Sequence, residues 1–388
     1  MTEFILQLAG RIRDITRMDG VSGGEHSGSV QKVLRRPSCL QESSPVSRHR
    51  LAHDDQRAAL LHRISSTKMT GTDREPEDGG NLPTEVENVA RKELREDPNT
   101  RKQALRLMRE WLAKNRDISN CRTDSNFLLR FLRVKKFSVP MAQQTLLKYL
   151  NFRQTFSHLL MRLDPLDPVV EGLIRSGYIF VSPYRDALGR RVVIYITRML
   201  DPQVHTAAHM CQAHMLTYET LLEEDKNQVM GVCHVADLRQ LPLSTVTLWD
   251  PNEFSTIVKW GEQSVPMRHK EIHFLNVPTP LRYVYDFACS RISEKMKNRF
   301  VLHNSLDQLH NRIDTCVLPK EYGGTMPMTE MIELWLGEVT AKRERLLGLD
   351  NIQLLSTDGI ISRKKKYPQD HKSNITSLTG SFRKLEVD

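Results

Sequence analysis

Arg268 and Lys270 stand two residues apart just ahead of the apolar run 272–277, and further along Lys295 and Arg299 stand four apart. Two-residue spacing puts the first pair on one face of an extended segment. Four-residue spacing puts the second pair on one side of a helical turn, with Arg291 one further turn back. If the strand end and the helix end meet, four cations converge. Convergent guanidinium and ammonium groups bind phosphate, the first as a bidentate fork and the second as a point charge. A solvated charged surface has the same spacing, and both readings stand at this stage. Between the pairs, Leu281, Val284, Tyr285 and Ala288 form an apolar stripe with Arg282 and Asp286 opposite. The stripe follows Val277-Pro-Thr-Pro280, so it reads as a hinged lid or as a helix fixed on a sheet.

Other chemistries fail on their spacing. There is no G-x-x-x-x-G-K-S/T loop to cradle phosphates and no G-x-G-x-x-G turn. There is no G-x-S-x-G nucleophile elbow. His205 and His209 have the separation of a zinc pair but lack the glutamate base, and nearby Cys211 and His214 read as helix-surface and cavity-lining residues. Cys233 and His234 read as a buried thiol and a hydrogen-bonded core imidazole. No catalytic residue, metal or cofactor is therefore expected. The segment 127–133 mixes arginine with phenylalanine, but its apolar positions make a continuous packing face, so a nucleic-acid role is not expected.

The formal net charge of +9 favours anionic partners such as phospholipid headgroups, nucleic acid or acidic proteins. No apolar run reaches the roughly 18 residues of a membrane span. The N-terminus has no secretory h-region. Six scattered cysteines suit a reduced, cytosolic setting.

The elements that must position these residues follow from periodicity. Residues 1–83 read as a disordered extension, rich in Gly, Ser and charge. Within it, Ile5, Leu8, Ile12 and Ile15 share a face over 3–17, which reads as a membrane-surface helix or a frayed terminus. Residues 84–160 read as a helical bundle, with helices over 85–96, 100–114, 126–134 and 141–157. Asp124 is the expected N-cap of the third, and Pro140 opens the fourth. Residues 165–346 alternate strands (178–181, 191–197, 231–237, 272–277, 315–318) with helices (205–224, 244–264, 280–301), closed by a helix over 329–346. The turn 186–190 reads as a hairpin with Gly189 at positive φ. This pattern predicts an α/β protein with a mainly parallel sheet and a helical N-terminal domain packed on it. Residues 347–388 read as a basic, flexible tail.

At this point a resemblance enters. Thr123-Asp-Ser-Asn-Phe-Leu-Leu-Arg-Phe-Leu-Arg-Val-Lys-Lys-Phe137 closely resembles the N-terminal helical signature of the CRAL-TRIO family. The segments 186–193, 266–278, 294–299 and 318–324 match its lipid-binding domain in order and spacing. The resemblance spans about 85–346 and is nearest to the family's tocopherol-transfer, retinaldehyde-binding and clavesin group. It implies one hydrophobic, tocopherol- or retinoid-like ligand enclosed between the sheet and a gate helix over about 280–289. The candidate lining is Met210, His214, Tyr218, Val235, Phe254, Ile257, Val258, Ile272, Phe274 and Phe287.

It further implies that Arg268, Lys270, Lys295 and Arg299 bind phosphoinositide headgroups, helped by Arg130 or Arg133. The glycines of Glu321-Tyr-Gly-Gly324 make a structural turn. The protein is then a non-enzymatic carrier, expected to be monomeric, cytoplasmic and peripheral on endosomal or Golgi membranes. The alternative is a phosphoinositide-binding adaptor in vesicle trafficking, with coat proteins as partners. Three positions depart from the family pattern: Asn304 after His303, Ser290 in place of a proline, and Asp237-Leu238-Arg239 after the middle strand.

Overall fold

The computed structural model describes residues 82–279 and 282–361. The expected helix over 3–17, most of the N-terminal extension and the basic run 363–366 lie outside the described residues.

The helical part begins with α1 (Thr84–Val89), which continues into a π-helical turn at Ala90–Leu94. Next come α2 (Pro98–Lys114), α3 (Ser125–Val134) and α4 (Val139–Thr155). The Asp97 carboxylate caps α2 by accepting from the Asn99 and Thr100 amides at 3.0 Å. Asp124 caps α3 as expected, accepting from the Phe127 amide at 3.1 Å. Phe127, Phe131 and Tyr149 pack edge to face at the centre, with Phe127 and Phe131 at 5.4 Å and Phe131 and Tyr149 at 5.5 Å. Two short helices, α5 (Ser157–Leu160) and α6 (Pro168–Arg175), lead to the sheet.

The sheet has five strands in the order β2 (Ile179–Arg185), β3 (Arg191–Ile196), β4 (Val232–Asp237), β5 (His269–Leu275) and β6 (Phe300–His303). A two-residue strand, β1 (Ile118–Ser119), precedes it in the helical part. β2 and β3 are antiparallel around the hairpin, where Gly189 has φ +75°. The remaining pairings are parallel. β3 and β4 are buried along their whole length, as apolar runs in central strands require. β5 is mostly half-buried, because one of its faces borders a cavity. The crossovers are α7 (Ala207–Leu222) with α8 (Asp225–Met230), then α9 (Pro251–Ser264), then α10 (Arg282–Cys289) with α11 (Glu294–Lys297). After β6 come α12 (Leu306–His310), α13 (Met328–Thr340), α14 (Arg343–Gly348) and β7 (Gln353–Leu354).

Several expected elements differ. The segment 315–318 is not a strand. Asp314 accepts from the Cys316 amide at 3.0 Å and turns Thr315–Val317 into a 3-10 helix. The fifth strand is β6, carved from the end of the helix expected over 280–301, where Phe300-Val-Leu suits a strand once β5 offers an edge. The helix expected over 244–264 starts only at Pro251, because Asp250 caps it by accepting from the Asn252 and Glu253 amides. The closing helix breaks between Thr340 and Arg343. The chain beyond 346 is not all tail: β7 pairs with β1, and Leu349, Ile352 and Leu354 are buried among the N-terminal helices.

Candidate functional site

A cavity of about 340 Å³ lies between the sheet and helices α7, α9 and α11. Of the expected lining residues, His214, Tyr218, Val258, Ile272 and Phe274 border it. The others do not. Val235 is fully buried on the opposite sheet face, because β4 alternates and its neighbours His234 and Ala236 take the cavity side. Met210 and Ile257 pack against the main core. Phe254 lies edge-on to Trp249 at 5.4 Å, and Phe287 lies under the Arg291 guanidinium at 4.7 Å.

Much of the lining that spacing did not reveal is polar. Tyr178 Oη lies 2.9 Å from His214 Nε2. Tyr195 Oη lies 3.2 Å from Tyr218 Oη and 2.8 Å from His234 Nδ1, and His234 Nε2 lies 2.8 Å from His269 Nδ1. One wall thus carries a hydrogen-bonded run of Tyr218, Tyr195, His234 and His269 with the separate pair Tyr178 and His214 stacked against it, facing apolar Val258, Ile272, Phe274, Ile292 and Met296 and the carboxylate of Glu262. Burial pushes the His214 imidazolium pKa down to about 4, and burial with the Arg299 charge does the same for His269. Burial and the neighbouring imidazoles push His234 further below the usual range. All three are neutral at physiological pH, so the wall offers hydrogen bonds without charge. The bland reading of His234 as a bonded core imidazole holds, but the residue also faces the cavity.

α10 lies on the flank of this space, reaching it through Phe274 of the wall, and none of its described residues is part of the lining. Leu281 lies outside the described residues. Val284, Tyr285 and Ala288 are half-buried, while Arg282, Tyr283 and Asp286 are exposed, so the amphipathic stripe is real. No residue of the helix is fully buried. Tyr285 holds it by edge contact to Phe274 at 5.5 Å and by a tilted contact to Phe300 at 6.1 Å. Tyr283 of this helix and Leu302 of β6 are about half exposed (48% and 53%), leaving apolar surface near the cavity.

The cations meet next to this flank. Gly231, at φ +78°, lets the chain entering β4 lie against the segment that carries Arg268 and Lys270. A Cβ there would sit 2.5 Å from the Arg268 carbonyl oxygen and 2.9 Å from Lys270 Cγ. Arg268 Nη2 and Lys270 Nζ both donate to one oxygen of Glu93, at 2.5 and 2.8 Å. Arg299 donates to the His269 carbonyl. Burial first, then the Arg299 and Arg133 charges, hold the Arg268 guanidinium below the usual arginine range despite Glu93. Burial raises the Glu93 carboxyl, but the bonds from Lys270 and Arg268 overcome it and hold the group below its ordinary value.

Lys295 is exposed and faces Lys135, whose pKa is lowered by burial and by Lys148 and Lys295. The structure therefore joins Arg268, Lys270 and Arg299 closely, with Lys295 next to two lysines from the helical part. Spacing had no means of finding Glu93, Lys135 or Lys148, because they come from another part of the chain.

Arg130 and Arg133 are not surface groups. Arg130 is fully buried and pairs with Glu219 and Glu223, each at 2.8 Å. Arg133 is 1% exposed and pairs with Glu96 at 2.8 Å and Asp225 at 3.0 Å. Both guanidinium groups cement the helical part to α7 and α8, and carboxylates already occupy the positions a phosphate would take. The paired histidines near α7 are structural too. His205 accepts from the Asp201 amide, and His209 closes the capping box with Thr206.

Fold and site together define an α/β protein with a partly open cavity on its mainly parallel sheet, an amphipathic helix on the cavity's flank and a cation cluster. The family model described as "CRAL/TRIO domain" matches residues 175–324. Clavesin-1 of Xenopus laevis is 29% identical over 251 residues, covering 64% of this chain and 76% of that protein. Alpha-tocopherol transfer protein-like of Homo sapiens is 30% identical over 245 residues, covering 63% of this chain and 71% of that protein. The chain belongs to the CRAL/TRIO family. A solved structure, Sfh5, aligns at 16% identity with a TM-score of 0.40, covering 65% of this chain and 92% of that one, too low for residue-level comparison. Among the described residues, no helix is long and apolar enough to cross a membrane.

Proposed function

We propose that this protein binds one hydrophobic ligand in the sheet cavity and transfers it at phosphoinositide-containing membranes, without catalysing a reaction. The observation that carries this reading is the cavity of about 340 Å³ with a single lightly held helix at its side. Burying a ligand of tocopherol or retinoid size removes several hundred Å² of apolar surface from water, roughly 10 kcal/mol gross at about 25 cal/mol per Å². Release into water is slow on that scale, so the ligand needs a route from cavity to bilayer. Arg268, Lys270, Lys295 and Arg299 supply it by holding the anionic surface, while α10, with its exposed Tyr283, and Leu302 of β6 meet the apolar interface. The neutral tyrosine and histidine wall favours a ligand with a hydroxyl or carbonyl end over a pure hydrocarbon. The relatives' names, one of them tocopherol transfer, support the same class. A monomer acting at endosomal or Golgi membranes from the cytoplasm fits this scheme.

Charge reversal at Lys295 and Arg299 together is expected to weaken binding to phosphoinositide vesicles and slow transfer while leaving cavity occupancy intact. Unchanged vesicle binding would overturn the headgroup assignment. An adaptor would bind vesicles and coat partners equally well with its cavity blocked, whereas a carrier would stop transferring. Mass spectrometry of lipids that co-purify with the native protein identifies the cargo.

A further inference from the structure

The sheet face turned away from the cavity carries a second cluster. Strand alternation puts Cys233 of β4 and Glu271 and His273 of β5 on that face, while His234 and Ile272 between them line the cavity. Cys233 pairs in register with Glu271, and His273 follows on the same face. Cys233 Sγ, a Glu271 carboxylate oxygen and a His273 ring nitrogen all lie within 4.8 Å of one another. His273 Nε2 lies 3.8 Å from Glu271 Oε2. The His273 side chain is 1% exposed, yet its Nε2 has no hydrogen-bond partner. A buried polar atom left this way calls for an occupant beside it.

We propose that Cys233, Glu271 and His273 bind one zinc ion, with water in the fourth position. A thiolate, an imidazole and a carboxylate are the donor set that zinc takes in tetrahedral sites. Bonds of about 2.0–2.3 Å place such ligands roughly 3.3–3.8 Å apart, so the cluster needs to close by about 1 Å. As the zinc–sulfur bond forms, the Cys233 S–H bond breaks and its proton leaves to solvent; no oxidant is involved.

The surroundings already resemble the support that metal ligands require. His303 Nε2 lies 2.9 Å from His273 Nδ1 and accepts the proton that a tautomer bound through Nε2 must carry there. Arg190 donates to Glu271 Oε2 at 2.8 Å and is itself neutralised by Asp186 at 2.6 Å, which holds that oxygen, with lone-pair capacity to spare, 3.8 Å from His273 Nε2. Arg312 adds positive potential at His273 and works against a bare cation, so the Cys233 thiolate is the ligand that makes the site work. Glu271 is partly exposed and gives the ion a path from solvent. An ion here would stiffen the two strands whose intervening residues, His234 and Ile272, face the lipid.

The test is titration of the full-length, reduced, metal-stripped protein with cobalt and then zinc. Expected are one equivalent bound, a near-ultraviolet thiolate-to-cobalt band, and a melting temperature that rises with zinc concentration. Cys233→Ser should abolish the band, His273→Gln should weaken binding at least tenfold, and Cys211→Ala should change neither. A wild-type protein with no band, or a band that persists in Cys233→Ser, overturns the site in favour of a water at His273. Should Cys233→Ser fail to fold, alkylation of Cys233 in the wild type decides. Protection by zinc supports the site, and an unchanged rate overturns it.

Discussion

Glu93 holds the position that an anionic headgroup would need. One of its oxygens accepts from both Arg268 and Lys270, and the side chain is 43% exposed, so the contact is open to exchange. A phosphate carries more charge and more acceptor oxygens than a carboxylate and should displace it. Glu93→Gln keeps the shape and removes the charge. It should tighten binding to phosphoinositide vesicles about 3- to 10-fold at low salt, with the gain shrinking as ionic strength rises. Weaker binding in a sedimentation assay would mean that Glu93 orders the cations instead of competing with the lipid. Arg130 and Arg133 give the opposite lesson. Their motif marked them as basic, but only the fold shows four carboxylates closing over them, because Glu96, Glu219, Glu223 and Asp225 come from segments distant in sequence. A residue's type was legible in the sequence; its partner was not.

Among the elements, α10 is an eight-residue helix with no fully buried residue. Its main apolar contacts are those of Tyr285 with Phe274 and Phe300, each aromatic pair worth about 0.5–1.5 kcal/mol. Tyr285→Ala should therefore speed movement of a fluorescent lipid between vesicles about 3- to 10-fold, with little loss of melting temperature. An unchanged transfer rate would show that ligand leaves by another side. The amphipathic stripe of this helix was readable from spacing because a 3.6-residue period survives in eight residues. β6 was not, since four residues carry too little periodicity and the strand exists only because β5 offers an edge. The polar wall escaped for a related reason. Tyr178, Tyr195, His234 and His269 belong to four segments, and only the register of β3, β4 and β5 brings three of them together.

For the molecule as a whole, the seam between the helical part and the sheet decides whether the cation cluster exists. Glu93, Lys135 and Lys148 sit on one side of that seam, with Arg268, Lys270 and Lys295 on the other. Glu223 is central to the seam, accepting from Arg122 at 2.7 Å, Arg130 at 2.8 Å and Arg345 at 2.5 Å. Burial alone would raise its carboxyl pKa, but the arginines, Arg130 foremost, overcome this and bring it to about 2. A carboxyl held below its ordinary value in the folded state stabilises the fold fully above that ordinary value. The contribution ebbs as pH falls toward about 2, because the unfolded chain takes up the proton first. Through this group alone, stability in urea should be nearly level from about pH 7 to 5 and then fall by on the order of 3 kcal/mol toward pH 2. The buried neutral imidazoles His214, His234 and His269 add a separate loss below about pH 6.5 that is the same in a Glu223 variant. Glu223→Gln should be less stable at neutral pH, because Arg130 and Arg122 each lose one of two carboxylate partners in a mostly buried cluster, and its acid loss should be correspondingly smaller. Equal acid slopes in the two proteins would remove Glu223 from the seam's pH response. If the seam holds the cations in register, vesicle binding should also weaken in Glu223→Gln at neutral pH, although no headgroup contact has been touched.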